Sequence, residues 1–133
     1  MSDRHRAIIE LACGDMIRET IARGEALQWK AMTQLQAEGV LIDAIHDART
    51  TCAGIVINPG GLTHTSVVLR DALSGVALPV AEIHISDVYA REAFRHHSYV
   101  ADVAAVHVIG EGISGYGVAT ARLIDLITGT NTD

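Results

Sequence analysis

The sequence is poor in aromatic residues and in cysteine, and each scarcity excludes a class of protein. Only 4% of the 133 residues are aromatic although 49% are apolar, so a core must consist mainly of Ile, Val, Leu and Ala. The two cysteines, Cys13 and Cys52, lie far apart and form no C-x-x-C motif. This spacing argues against structural zinc, a disulfide framework and thioredoxin chemistry, and it favours a reducing compartment.

Basic residues and long apolar runs are also scarce. Ten Lys and Arg stand against sixteen Asp and Glu, a net charge of −6. Nucleic acids and anionic membranes require clustered cations, so neither is expected as a partner. No apolar run approaches the roughly 18 residues of a membrane span, and the first apolar stretch is broken by Glu10, unlike a signal peptide. We therefore expect a cytoplasmic protein with a single domain over residues 1–133.

Helical and extended patterns alternate along the chain. Residues 5–23 carry apolar side chains at helical spacing, which predicts a helix capped by Ser2 or Asp3 and ended by Gly24. Further helices are predicted over 40–49, with Leu41, Ile42 and Ile45 inward, over 63–75 with Thr63 as cap, and over 114–128, with a short helical turn over 90–97. Strands are predicted over 27–33, 54–58, 79–86 and 103–109. The alternation predicts an α/β fold whose parallel sheet is covered on both faces.

Ligands of open α/β sheets bind outside the carboxyl ends of the strands, and polar residues follow two of these strands. Glu82 and His84 stand two apart on the second of them, so they share one face. A carboxylate beside an imidazole orients it and raises its pKa, which suits a general acid near neutral pH. A chance pair is the alternative, but a charged pair without a function is costly in a buried strand.

Other features near these strand ends are weaker when taken alone. Asn58, Gly60 and Gly61 form a tight turn where a ligand could approach the backbone, or a plain connection into the next helix. The amides at Ile85 and Ser86, with the serine hydroxyl, could hold a carboxylate, or form an ordinary turn.

Basic and glycine-rich segments complete the pattern. Arg91, Arg95, His96 and His97 form a positive cluster suited to an anionic substrate, or a solvated turn. His64, His84, His96 and His97 match no standard zinc spacing, so no metal site is expected. The motif over 110–115 reads G-x-G-x-x-G, but no later strand supplies a ribose-binding acid, so a glycine turn packing helix on strand is favoured over a dinucleotide site.

Four blocks, in order and at matching spacing over about residues 38–127, resemble type II 3-dehydroquinate dehydratase. They read NPGGLTHTSVVLRD (58–71), EIHIS (82–86), AREAFRHHSY (90–99) and GISGY (112–116). The resemblance implies a flavodoxin-like three-layer sandwich that assembles as a homo-oligomer, a trimer or a dodecamer of four trimers. It implies a lyase of the shikimate pathway of aromatic amino acid biosynthesis. That enzyme dehydrates 3-dehydroquinate, a small anionic cyclic hydroxy acid, without cofactor or metal.

The resemblance also implies residue roles. A tyrosinate removes a proton alpha to the ketone, and a histidine protonates the departing hydroxyl of the enolate. His84 corresponds to that acid and Glu82 to the group that orients it. The remaining positions implied to bind substrate are Asn58 for the leaving hydroxyl, with Gly60 and Gly61 in its turn, Ile85 and Ser86 for the carboxylate, His64 and Arg95 for ring hydroxyls, and Asp71 in the neighbouring subunit's site.

The N-terminal part departs from the family pattern. The family's first strand, its N-G-P-N-L-N segment and the R-E-P-x-x-Y-G lid with the catalytic Arg and Tyr have no matching positions here. We therefore expect a four-stranded parallel sheet in sequence order, with strand 27–33 paired to strand 54–58. The first and last helices are expected on one face, and helices 40–49 and 63–75 on the other. The alternative function is a non-catalytic relative that binds a cyclic hydroxy acid or acts as a structural or regulatory subunit. A third possibility is related elimination chemistry on another cyclic hydroxy acid.

Overall fold

The computed structural model describes residues 7–12, 16–19, 28–31 and 34–129, with side chains over 38–129. The main chain forms, in order, β1 (Ala7–Ala12), β2 (Met16–Glu19), β3 (Gln28–Ala31), α1 (Gln34–Thr51), β4 (Cys52–Asn58), α2 (Val67–Val76), β5 (Val80–His84), β6 (Val106–Ile109) and α3 (Gly115–Thr128). No helix within these ranges has the length and apolar character that crossing a membrane requires.

A four-stranded parallel sheet in the order β1-β4-β5-β6 forms the centre of the fold. Helices α1 and α2 pack on one face, where Leu41 and Leu69 meet Ile55 in a buried cluster. Helix α3 packs on the other face through Leu123 against Ile83. The predicted α/β architecture, with a parallel sheet covered on both faces, is confirmed, as is the shared face of the two middle helices.

Sequence explains why these central elements form. The middle of β4, Ile55 to Ile57, is buried on both faces, as expected for the interior strand of a parallel sheet. In α1, Leu41, Ile45 and Ala48 recur every three or four residues and are at most 1% exposed. The helix extends beyond the predicted 40–49 because the polar stretch before it consists mostly of good helix formers.

Two N-terminal predictions are wrong where the structure describes this part of the chain: the helix over 5–23 and the pairing of strand 27–33 with strand 54–58. The predicted helix 5–23 is replaced by β1, parallel to β4, and by β2, antiparallel to β3. Residues 28–31 are extended as predicted, but they do not pair with 54–58, because β1 occupies that edge of β4. A short apolar run such as AIIELA satisfies helix and strand patterns alike, and the free edge of β4 supplies hydrogen bonds that favour the strand. Cys13, Gly24 and the proposed caps lie outside the described residues.

Several boundaries differ from their predictions. Helix α2 begins at Val67, not at 63, and its cap is Ser66, whose hydroxyl accepts a hydrogen bond from the Leu69 amide at 3.0 Å. Residues 60–64 form a 3-10 turn instead. Thr63 is buried in this turn and does not cap the helix. The predicted helical turn over 90–97 consists of two 3-10 turns over 88–90 and 93–96. Strand β5 ends at His84, so residues 85–86 lie just beyond its carboxyl end.

Candidate active site

Strand β5 places a carboxylate and an imidazole side by side in the interior. All five of its residues are buried, and alternation sends Glu82 and His84 to the face opposite that of Ile83. His84 Nε2 lies 3.0 Å from Glu82 Oε1, and the two residues are only 5% and 2% exposed. The pairing predicted from their spacing is therefore present as a buried hydrogen bond.

The Glu82 carboxylate is held by more than the histidine. Ser98 Oγ lies 2.7 and 2.9 Å from its two oxygens, and Thr63 Oγ1 lies 3.3 Å from Oε1. Burial alone would raise the pKa of Glu82. The hydrogen bonds from His84 and Ser98, with the positive charges of His84 and His107, outweigh burial and lower that pKa below its ordinary value of 4.5. Glu82 is thus a carboxylate at neutral pH.

This carboxylate determines which nitrogen of His84 can serve a ligand. An ionised carboxylate only accepts, so Nε2 carries the hydrogen of the 3.0 Å bond. The other nitrogen, Nδ1, makes no hydrogen bond within the described part of the chain and is the one available for proton transfer. The ring of His64 stacks nearly parallel to that of His84, with centroids 6.4 Å apart, and its own Nδ1 donates to the His97 carbonyl.

A cavity of about 220 Å³ opens beside His84 at the carboxyl edge of the sheet. The turn after β4 forms one wall: Asn58 Oδ1 accepts from the Gly60 amide at 3.1 Å, and Gly60 has a φ of 55°. Asn58 Nδ2 donates to the Tyr116 hydroxyl at 3.0 Å, which fixes the amide orientation. The cavity is lined by Asn58, Gly60, Gly61, His64, His84, Ile85, Ser86, Val88, Arg91 and Arg95.

Backbone donors lie at the end of β5. The amides of Ile85 and Ser86 donate to no described residue, whereas the carbonyls of His84 and Ile85 accept from Gly110 and Gly112, each at 3.0 Å. The carbonyl groups of His84 and Ile85 thus anchor the chain, while the consecutive N–H groups of Ile85 and Ser86 stay available to an anion.

The glycine motif forms this anchoring turn. Gly110 and Gly112 have φ values of 79° and 64°, and a Cβ on Gly115 would approach Ile83 Cδ1 to 3.1 Å. Positive φ accounts for Gly110 and Gly112, and close packing of helix on strand accounts for Gly115, in line with the turn that the sequence favoured.

Two cations face the cavity with one carboxylate between them. Arg95 Nε donates to Glu92 at 2.6 Å, and Arg91 Nε lies 3.8 Å from the same oxygen. Both arginines line the cavity, as the basic segment predicted. His97 lines neither this cavity nor the smaller one behind the histidine, and His96 lines only the smaller one.

Asp71 is the one predicted site residue that lies elsewhere. It is exposed on α2 and lines a separate cavity of about 230 Å³ between α1 and α2, with His46 and Arg49. The other residues with a role implied by the resemblance line the cavity beside His84 or, in the case of Glu82, hold His84 by a hydrogen bond. The described residues hold no group of three or more His, Cys, Asp or Glu side chains that could bind a metal ion.

The sequence reasoning missed three supporting residues. Ser98 and Thr63 hold Glu82, and Tyr116 reaches Asn58 from α3. Ser98 and Thr63 also line a smaller cavity of about 80 Å³ behind His84, with Tyr89, His107 and others. Only tertiary structure brings these positions together, and no local spacing could have found them.

The fold and this edge of the sheet define an α/β protein with a buried acid–base pair facing a small polar cavity. Residues 9–124 match the family model described as "Dehydroquinase class II". The chain belongs to the class II dehydroquinase family.

Individual relatives agree with this assignment. The chain is 53% identical over 114 residues to the catabolic 3-dehydroquinase 2 of Aspergillus flavus, covering 84% of this chain and 76% of that protein. It is 63% identical over 90 residues to the 3-dehydroquinate dehydratase of Gloeobacter violaceus, covering 68% of this chain and 53% of the relative. The crystal structure of type II dehydroquinase from Butyrivibrio crossotus is 44% identical, with a TM-score of 0.64 over 65% of this chain and 61% of that one.

Proposed function

We propose that this chain dehydrates 3-dehydroquinate to 3-dehydroshikimate, with His84 as the general acid. The observation that carries the proposal is the His84–Glu82 hydrogen bond, which leaves Nδ1 of a buried imidazole beside a polar cavity of substrate size. The names of the relatives support the substrate. In this reaction a base removes a proton alpha to the ketone, and the protonated His84 gives its proton to the hydroxyl that leaves as water.

The surroundings of His84 suit binding of this substrate. We assign the amides of Ile85 and Ser86, which donate to no described residue, to its carboxylate, and Arg95 adds a positive charge to the same cavity. We assign Asn58, in the turn with Gly60 and Gly61, to the leaving hydroxyl, because it keeps a second amide hydrogen after donating to Tyr116. His64 keeps Nε2 for a ring hydroxyl, because its Nδ1 hydrogen goes to a carbonyl.

Asp71 supports a proposal of self-assembly. It lies on α2, outside the cavity of its own chain. The role inferred from the family, reaching into a neighbouring subunit's site, requires such an outward position. We propose a homo-oligomer, a trimer or a dodecamer built from trimers, whose subunits share site residues. Cytoplasmic location remains a prediction from the sequence.

The test is direct turnover. The chain is incubated with 3-dehydroquinate, and the conjugated enone of the product is followed by ultraviolet absorbance. We expect absorbance to rise with wild-type protein and to rise far more slowly with His84→Ala. A flat trace at high concentrations of folded wild-type protein would contradict the proposal.

A binding or subunit role is the second candidate, and the positions of Tyr99 and Tyr116 favour it. Tyr116 is buried and bonded to Asn58, and Tyr99 packs edge-on against His97 with centroids 4.6 Å apart. Neither side chain lines the cavity as a base would. Calorimetry with quinate and related cyclic hydroxy acids separates the cases: heat without turnover indicates a binding protein, and no heat leaves only the subunit role.

A further inference from the structure

We propose that Ser98 is a positioning residue whose hydroxyl fixes the orientation of the Glu82 carboxylate and, through it, the tautomer of His84. Its contribution to turnover rests on the proposed function, but its effect on the two side chains does not. The proposal starts from the hydrogen bonds around a single oxygen atom.

Ser98 Oγ has one hydrogen and several neighbours that compete for its lone pairs. The amides of Val100 and Ala101 lie 3.2 and 3.1 Å away, and an amide can only donate. These two bonds occupy the lone pairs. The Ser98 hydrogen then has two acceptors within reach, the Glu82 carboxylate at 2.7 and 2.9 Å and Thr63 Oγ1 at 2.6 Å. The charged carboxylate is the stronger acceptor, so we assign the hydrogen to Glu82.

The donating amides strengthen the bond that Ser98 makes. A hydroxyl that accepts hydrogen bonds becomes a better donor, and a donor to a carboxylate makes a stronger bond than one to a neutral acceptor. Thr63 Oγ1 lies 2.6 Å from Ser98 Oγ and 3.3 Å from Glu82 Oε1, so it closes the network from the other side. Glu82 cannot rotate without losing these contacts.

The orientation of the Glu82 carboxylate determines which nitrogen of neutral His84 carries the hydrogen. With the carboxylate fixed, Oε1 faces His84 Nε2, and neutral His84 must carry its hydrogen there. Nδ1 then faces the ligand without a hydrogen until it is protonated. The groups that titrate around Glu82 are His84 on its own strand and His107 on β6, which is paired opposite Glu82, while His64 stacks on His84.

The chain offers a matched control in Ser66. Like Ser98, it is a serine that caps a turn of backbone and donates to a carboxylate, that of Glu38. It is 5% exposed and caps the start of α2, apart from the Glu82–His84 pair. Ser66→Ala therefore removes a similar set of bonds without touching the pair.

The experiment is nuclear magnetic resonance on protein with ¹⁵N-labelled histidine and ¹³C-labelled glutamate carboxyls, assigned with His84→Asn and Glu82→Gln. At alkaline pH, we expect wild-type His84 to show the Nε2–H tautomer alone. In Ser98→Ala we expect a mixture of tautomers and a higher pKa for Glu82. Ser98→Thr, which keeps the hydroxyl, and Ser66→Ala should resemble the wild type.

An unchanged tautomer and an unchanged Glu82 titration in Ser98→Ala would overturn the proposal, as would equal changes in Ser66→Ala. If Ser98→Ala does not fold, Ser98→Cys, a weaker donor, is measured by the same signals and judged by the same outcomes. These spectra need no turnover, so failure here is distinct from failure of the dehydration assay. In an active protein, kcat of Ser98→Ala should fall about 10- to 100-fold, by analogy with the loss of outer-shell partners that orient the ligands of metal sites, with little change in KM.

Discussion

The two faces of β5 are stabilised by different means. Toward α3, Ala81 and Ile83 pack in an apolar cluster with Val108 and Leu123. On the other face, the same strand buries Glu82 and His84. Here hydrogen bonds compensate for the loss of contact with water when these polar side chains are buried. The comparison teaches that a single strand of five residues carries both the core of one layer and the chemistry of the other.

The largest expected effect is on turnover, on the polar face. His84→Ala removes the proposed general acid, so the rate of product formation from 3-dehydroquinate should fall about 10²- to 10⁴-fold. The measurement is the absorbance assay at saturating substrate. Leu126→Ala, at a side chain on α3 that is 51% exposed, serves as the control and should keep the wild-type rate. An equal rate in His84→Ala and wild type would contradict the proposal that the polar face of β5 carries the reaction.

The apolar face should respond in stability. Ile83→Ala leaves a cavity at a fully buried position. We expect the free energy of unfolding, measured in urea, to fall by about 2–5 kcal/mol. Ile113→Ala, at a side chain that is 73% exposed, should change stability by less than about 0.5 kcal/mol. A small loss in Ile83→Ala would mean that the α3 layer tolerates repacking and that the faces are less distinct than they look.

Acid should weaken the polar face selectively. The pKa of Glu82 is lowered on folding, so its stabilising contribution is present above its ordinary value of 4.5 and is lost as pH falls through the lower folded value. Unfolding free energy measured from pH 6 to pH 3 should therefore decline more steeply in wild type than in Glu82→Gln.

Glu92 gives the contrast for this measurement. Its pKa is also lowered, by its own backbone amide and then by Arg95, but it lies on the surface, where solvent screens the effect. Glu92→Gln should keep the wild-type acid slope. If both glutamine variants flatten the slope equally, burial of Glu82 is not the cause.

The smallest expected effect concerns the hydrogen bond between Asn58, in the turn beside the cavity, and Tyr116, on α3. Tyr116→Phe removes the hydroxyl that accepts from Asn58 Nδ2, and we expect a loss of about 0.5–1.5 kcal/mol in unfolding free energy. Tyr89→Phe, at a side chain that is 59% exposed, is the control and should be close to neutral. No loss in Tyr116→Phe would show that the faces are independent.

Local patterns predicted the central elements well, because burial and periodicity coincide there. Ile55 to Ile57 indicate a buried strand, and Leu41 with Ile45 indicates an inward helix face. The N-terminal segment could not be predicted in this way. Its short apolar run is compatible with both a helix and a strand. The strand forms because β4 offers an unpaired edge, and β4 lies too far along the sequence to be seen in a local pattern.

The candidate site shows the same division. Glu82 and His84 could be paired from the sequence because they are two apart on one strand. Thr63 was assigned to a helix cap because threonine is common there, but the cap is Ser66 and the Thr63 hydroxyl faces Glu82. Ser98 lies 16 residues beyond Glu82 in sequence, and only the path of the intervening 3-10 turns brings them together.

The glycine turn between β6 and α3 has a practical consequence for modifying this protein. Because Gly110 and Gly112 donate to the carbonyls at the end of β5, any lengthening of that turn would be transmitted to the histidine. Labels, inserted peptides or new chain termini should avoid it. The left-handed corner at Ala77, exposed and at the opposite edge of the sheet, is a better place to open or extend the chain.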